Sequence, residues 1–166
     1  ISRTMAVSQM SAVASRAQGL LDSDGDGIPD IYDAYPNDPT IAFETTFPGD
    51  GAEVFTVAFE DNFPSLGDGD YNDFVVDYTV TYSVFRGAVS RISGTATARA
   101  KVAGYDHTFG LMFRLPGFEG TLRTTLDGEI LTEGVAISDL IQVPLFESTT
   151  EATRNGDQPA VATFEV

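Results

Sequence analysis

The chain contains no cysteine, which excludes disulfides, thiolate metal sites and cysteine nucleophiles together. His107 is the single histidine, so an all-histidine zinc site is excluded as well. No apolar run approaches the roughly 20 residues that a membrane-spanning helix needs, and no transmembrane segment is expected. Asn-x-Ser/Thr acceptors are missing, so ordinary N-linked glycosylation is not predicted. Residues 1–21 lack the charged start and apolar stretch of a signal peptide. Because the chain begins with Ile rather than Met, it reads as a processed or excised piece, and this absence does not argue against export. Basic residues are scarce: 9 Lys and Arg stand against 25 Asp and Glu, for a net charge of -16. Between Arg16 and Arg86 there is no Lys or Arg at all, yet those 69 residues hold 15 of the acids. Such a block repels nucleic acid and anionic lipid surfaces, which removes both as partners. Its acids alternate with Gly, Pro and aromatics, unlike a solvated acidic tail. They require a neutralising partner.

What is present suffices for one sizeable domain. The 166 residues are 42% hydrophobic, with 12 Phe and 6 Tyr, so a packed core is expected and wholesale disorder is not. Residues 1–21 form an Ala- and Ser-rich extension in which Ala6, Met10, Val13, Ala17 and Leu20 follow helical spacing. That stripe is too thin to hold an isolated helix. Residues 22–52 read as loop and linker, punctuated by Pro29, Pro36, Pro39 and Pro48. From Glu53 to Val166 the pattern is β. Val76, Tyr78, Val80, Tyr82 and Val84 alternate with polar neighbours, and Ile92, Gly94, Ala96 and Ala98 continue the alternation after an Arg86-Gly87 turn. Phe109 to Leu115 alternates again before Pro116-Gly117, with further strands expected at 121–126, 135–146 and 160–166. The predicted fold is all-β, an antiparallel β-sandwich or jelly roll preceded by a calcium-binding loop and the N-terminal extension.

The sharpest motif runs from Asp22 to Asp33. Numbered from Asp22, oxygen donors fall at positions 1, 3, 5, 9 and 12 (Asp22, Asp24, Asp26, Asp30, Asp33), with Gly27 at position 6 and the Ile28 carbonyl at position 7. Calcium takes six to eight oxygens, and alternating carboxylates converge on one point when a glycine permits the sharp turn. Asp replaces the usual Glu at position 12, and Pro29 at position 8 prevents an ordinary incoming helix. Magnesium, which keeps several waters, fits less well. A second acidic loop repeats the local logic. Asp68, Asp70, Asn72 and Asp73 open one strand, and Glu60 or Asp61, ending the previous one, closes the site from across the loop. At least two Ca2+ ions are expected. Asp77 lies on the Thr-bearing face of its strand and is expected to be exposed.

Residues 22–38 resemble the type 3 repeat of thrombospondins, with the spacing D-x-D-x-D-G-x-x-D-x-x-D intact. Taken with VAFEDNFPSLGDGDYNDFVVDY and GYDHTFGLMFRLPG, residues 22–116 resemble the bacterial LruC domain family. The resemblance implies an exported, surface-associated, β-rich domain with calcium sites and no established catalysis. It places the protein outside the cell, on the bacterial surface. Family sequences continue past the point where this chain stops, so a sandwich edge is expected to lack a strand.

Two readings of residues 1–18 follow. Either they form an amphipathic helix packed on their own domain through Met10, Val13 and Leu20, or they add a strand to the next subunit through Met5, Val7 and Val13. The second would build a homopolymeric fibre. A surface glycan is the alternative partner, with Tyr71, Phe74 and Tyr105 as a candidate platform against their bland reading as core or rim. No enzyme is predicted. Asp106-His107 lacks a motif-placed nucleophile and reads as a structural pair at a strand start. Paired carboxylates carry no signal among 25 acids.

Overall fold

The computed structural model describes residues 20–49, 53–60, 65, 67–154, 156 and 158–166. Both readings of residues 1–18 therefore lie outside the described residues. Seven strands are present among them: β1 (Phe43–Phe47), β2 (Phe55–Phe59), β3 (Phe74–Phe85), β4 (Ala88–Ala100), β5 (Phe109–Leu126), β6 (Glu129–Phe146) and β7 (Val161–Glu165). A 3-10 turn covers Asp30–Tyr32 and a short helix, α1, covers Thr149–Ala152. The strands form one sheet in the order β1-β3-β4-β7-β5-β6, with β2 also pairing with β3. The β2–β3, β4–β7, β5–β6 and β5–β7 pairs are antiparallel. The fold is all-β, in keeping with the sandwich read from the alternation. No helix among the described residues is long and apolar enough to cross a membrane.

The chain divides into two compact units, described separately. The larger comprises Thr46–Thr81 and Arg91–Val166. Its alternation buries Phe74, Val76 and Val80 on β3, Ile92, Ala96 and Ala98 on β4, and Ala162 and Phe164 on β7. Strands distant in the sheet order meet through aromatic rings. Phe74 lies 5.8 Å from Phe109 and 6.3 Å from Phe146, centroid to centroid. Phe59 lies 6.1 Å from Phe109. Within the larger unit β2, β3, β5 and β6 therefore share one aromatic cluster. Gly94 is required where β4 packs on β3 and β7. A Cβ there would stand 2.2 Å from the Thr79 carbonyl oxygen and 2.7 Å from the Phe164 ring.

The described part of the smaller unit comprises residues 20–45 and Tyr82–Ser90. Ile41 and Ala42 are its buried apolar centre. The Ala42 amide donates to the Val84 carbonyl (3.1 Å), and the Ala34 amide donates to the Ala42 carbonyl (3.0 Å). The preceding loop is thus anchored at both ends of a short segment.

Several elements depart from the sequence expectation for visible reasons. β1 falls in the stretch read as loop, because its Glu44 points inward and breaks any apolar alternation. Glu44 accepts from Ser83 Oγ (2.7 Å) and from the Tyr35 hydroxyl. β5 continues through Pro116-Gly117 instead of stopping, because a register shift between Arg114 and Glu119 absorbs the proline. At that bulge Gly117 adopts φ +81° and its amide donates to Asp139 Oδ1 (2.8 Å). Helix α1 is too short to show periodicity. The Arg86-Gly87 and Asp127-Gly128 turns are both left-handed pairs, with φ of 50° and 81°, and 50° and 87°. They are two-residue hairpin turns of the primed type.

Candidate metal centre

The loop from Asp22 to Asp33 is built almost entirely from carboxylates folding onto their own backbone. Asp22 accepts from the Gly25 and Gly27 amides (2.9 and 3.1 Å). Asp24 Oδ1 accepts from the Asp26 amide (3.1 Å), and Asp26 Oδ1 from the Ile28 amide (2.5 Å). Asp33 Oδ1 accepts from the Tyr35 amide (2.7 Å). Gly25 and Gly27 supply the left-handed conformations, φ +77° and +92°, that let the chain turn so tightly. The Asp30 amide closes the loop onto the Leu21 carbonyl at 2.9 Å.

The turn bonds of Asp24, Asp26 and Asp33 each occupy Oδ1. The second oxygens of all three are shielded from solvent and have no hydrogen-bond partner among the described residues. Asp26 is only 5% exposed and Asp33 only 8%. Buried carboxylate oxygens without a partner are costly, about 1–3 kcal/mol each and more when charged. Asp22, Asp24 and Asp26 also bring ligand oxygens within 4.8 Å of one another. Asp24 and Asp26 belong to both sets, converging with Asp22 and each keeping an unpaired oxygen, whereas Asp33 lies outside the converging triplet. Such an all-oxygen donor set fits a hard divalent cation such as calcium.

Not every residue of the motif shares this geometry. Asp30 turns to Ser23, with Oδ1 accepting from the Ser23 amide (2.8 Å) and Oδ2 from its hydroxyl (2.7 Å). Both Asp30 oxygens are therefore already engaged in closing the loop. Ile28, half-buried, sits in the turn itself.

In the second loop, Glu60, Asp68 and Asp70 bring their ligand oxygens within 4.8 Å of one another. Glu60 Oε1 accepts from the Tyr71 amide (2.7 Å), while Oε2 is shielded and has no partner among the described residues. Asn72 Nδ2 donates to Asp70 Oδ2, which places Asn72 as a support. Asp73 is separate from this triplet. It lines a cavity of about 240 Å³ with Glu60, His107, Phe59, Phe74 and Phe109. Asp61 lies outside the described residues. Asp68 and Asp70 are exposed, so the second cluster is the more open of the two.

The expectation for Asp77 is overturned. Rather than exposed, it is 7% accessible. It accepts from Thr56 Oγ1 (2.6 Å) and pairs with Arg99 Nε (2.5 Å). Burial pushes its carboxyl up, but the Thr56 hydroxyl and the Arg99 guanidinium outweigh that and hold it below the usual carboxylate range. Neighbouring strands supply both partners, which period-two alternation alone does not reveal.

Asp106 and the His107 backbone brace the start of α1, while the His107 imidazole Nδ1 is buried with no hydrogen-bond partner among the described residues. Asp106 Oδ1 accepts from the Thr150 amide (2.9 Å) at the start of α1. That amide and the adjacent hydroxyls hold the Asp106 carboxyl well below its ordinary range. The His107 amide donates to Thr149 Oγ1 (3.1 Å), and the Thr149 amide donates back to the His107 carbonyl (2.9 Å).

Two residues of the first loop's surroundings carry no sequence signal. Ser23 engages Asp30, and Arg86, 60 residues from Asp26 in sequence, donates from Nη2 to the Asp26 carbonyl (2.5 Å). Comparison with family models, curated proteins and solved structures finds no match.

Proposed function

We propose that this chain is a calcium-binding structural module of the bacterial cell surface, without catalytic activity. One ion is held in the Asp22–Asp33 loop and a second at Glu60, Asp68 and Asp70. The observation that carries this reading is the set of buried, unpartnered second oxygens on Asp24, Asp26 and Asp33. Fifteen acids without a cation across residues 17–85 add self-repulsion that a divalent ion relieves. The LruC-like order of the acidic blocks is consistent with an exported module. Calcium binding only the native state raises stability by about 2.7 kcal/mol when its concentration is about 100 times the Kd. Thermal unfolding in millimolar calcium is therefore expected to have a higher midpoint than in chelator. Equal midpoints rule the reading out.

As the module's mode of assembly we propose a homopolymeric fibre, in which residues 1–18 of one subunit add a strand to the next. In its favour, β6 ends the sheet order as an 18-residue edge strand. That edge leaves Ile130, Leu131, Val135 and Leu140 about half exposed. Long apolar edges are liabilities unless covered. Deleting residues 1–18 is expected to leave a folded, calcium-binding monomer that no longer polymerises. An intact chain that stays monomeric in calcium, before and after a denature–renature cycle, rules out the fibre.

The glycan-binding alternative draws on a hydroxyl-lined groove of about 330 Å³ bordered by Thr79, Thr81, Ser93, Thr95 and Thr163. Calcium-dependent signal on a glycan array would favour it over the fibre.

A further inference from the structure

Arg86 is the first cation after Arg16 in the sequence, and it reaches the acidic loop in an unexpected way. Its guanidinium donates to the main-chain carbonyl of Asp26. Among the described residues it makes no ion pair with the loop's carboxylates, and the second oxygens of Asp24, Asp26 and Asp33 stay unpartnered. The same Nη2 lies 3.5 Å from where a Cβ on Gly27 would stand, an ordinary contact distance, so glycine at position 6 is required by its φ of +92° and not by the arginine. Two features fix the guanidinium in place. Arg86 sits in the left-handed turn between β3 and β4, and its charge lies 4.9 Å over the Phe85 ring.

An arginine drawn simply by charge would bridge the carboxylates and compete with a metal ion. This one spends its donor on a carbonyl at the tightest point of the loop. We propose that Arg86 is a positioning residue for the cation site, rigidifying the Asp26-Gly27 turn before an ion arrives while leaving the second oxygens of Asp24, Asp26 and Asp33 available. This rests on the proposed calcium reading of the Asp22–Asp33 loop and extends it to a residue outside the repeat. Pre-ordering of this kind raises affinity by reducing the ordering that binding must supply.

The proposal makes a prediction opposite in sign to simple electrostatics. A positive charge beside a cation site repels the ion, so removing it should tighten binding if charge alone mattered. If positioning dominates, Arg86→Ala weakens calcium binding to the loop, by about tenfold for the loss of one charge-assisted hydrogen bond. Arg86→Gln removes the charge but keeps an N–H donor near the Asp26 carbonyl. It is expected to bind at least three to five times more tightly than Arg86→Ala, by a rough estimate from partial retention of that bond.

The test is calorimetric titration of the full chain with calcium, using wild type, Arg86→Ala, Arg86→Gln and Asp26→Asn, with circular dichroism to confirm the fold. Asp26→Asn identifies the heat belonging to this loop. If wild type binds at the loop and Arg86→Ala binds equally or more tightly, the positioning role is wrong while the calcium reading stands. Equal affinities of Arg86→Ala and Arg86→Gln also overturn it, because the donor then contributes nothing. If wild type shows no calcium uptake that Asp26→Asn removes, the calcium reading of this loop fails and the role of Arg86 falls with it.

Discussion

Asp77 on β3 and Arg99 on β4 form an asymmetric pair, the carboxylate buried and the guanidinium half exposed. Thr56, opposite Asp77 in the β2–β3 register, completes the carboxylate's shell. A carboxyl whose folded pKa is depressed contributes stability above its unfolded value of about 3.8 and loses it as pH falls through the folded value. Stability is therefore expected to fall as pH drops below about 4, and Asp77→Asn is expected to flatten that limb. At neutral pH the same variant should cost about 1–2 kcal/mol, reduced from the buried-pair figure because Arg99 is solvated. Urea unfolding of both proteins at pH 7 and pH 3 checks this. Parallel losses in the two proteins would show that Asp77 is not the titrating group.

The unpaired oxygens of the first loop predict opposite effects of one substitution in two buffers. Asp33→Asn removes a buried charge, so in chelator the variant should melt a few degrees higher than wild type, since about 1 kcal/mol corresponds to about 2–4 °C for a chain of this size. In millimolar calcium the order should reverse, because a ligand has been lost. Paired melting curves read both signs. A variant that melts below wild type in chelator would mean the Asp33 carboxylate is already satisfied.

A comparison of two aspartates separates binding from folding. Asp26→Ala should eliminate one tight calcium site. Asp127→Ala should leave the number of sites unchanged. Asp127 is nevertheless more than a turn residue, because its Oδ1 accepts from the Val161 amide (2.8 Å) at the start of β7. Its loss should cost about 1 kcal/mol of stability. Site counting by calorimetry, with denaturant melts alongside, would refute the assignment if Asp26→Ala retained every site.

Gly94→Ala tests how closely β4 packs on β3 and β7. The added methyl meets a backbone oxygen and the Phe164 ring at distances no side chain tolerates. The loss should reach about 3 kcal/mol, the upper range for overpacking. A variant as stable as wild type would mean that β4 and β7 separate easily.

The existence of β3 and β4 was legible from their alternation, although Asp77 and Ser83, read on the polar face of β3, are buried. β3 and β4 follow the period-two pattern of Phe74–Val84 and Ile92–Ala98, and the Arg86-Gly87 and Asp127-Gly128 turns carry their own signal. Legibility ended where a polar residue turned inward. Glu44 hid β1 and Asp77 passed for a surface residue, since Glu44 is satisfied by Ser83 on β3 and Tyr35 in the preceding loop, and Asp77 by Thr56 and Arg99 on neighbouring strands. The motif spacing located the carboxylates of the first loop. It did not reveal that Asp30 would be taken by Ser23, or that a guanidinium 60 residues away would reach Asp26. The first depends on the local closure of the loop over seven residues, the second on folding that brings distant parts of the chain together.

The position of β7 bears on how the protein acquires its structure. Residues 161–165 lie between β4 and β5 and pair with both. While the chain is being synthesised, the Ser93–Thr97 edge of β4 must wait about 70 residues for its partner. Its buried neighbours Ala96 and Ala98 remain uncovered in the meantime. Closure of such distant pairings is slow, and open apolar edges invite self-association during the delay. The arrival of β7 is therefore expected to set how long the β4 edge of the nascent sheet stays vulnerable.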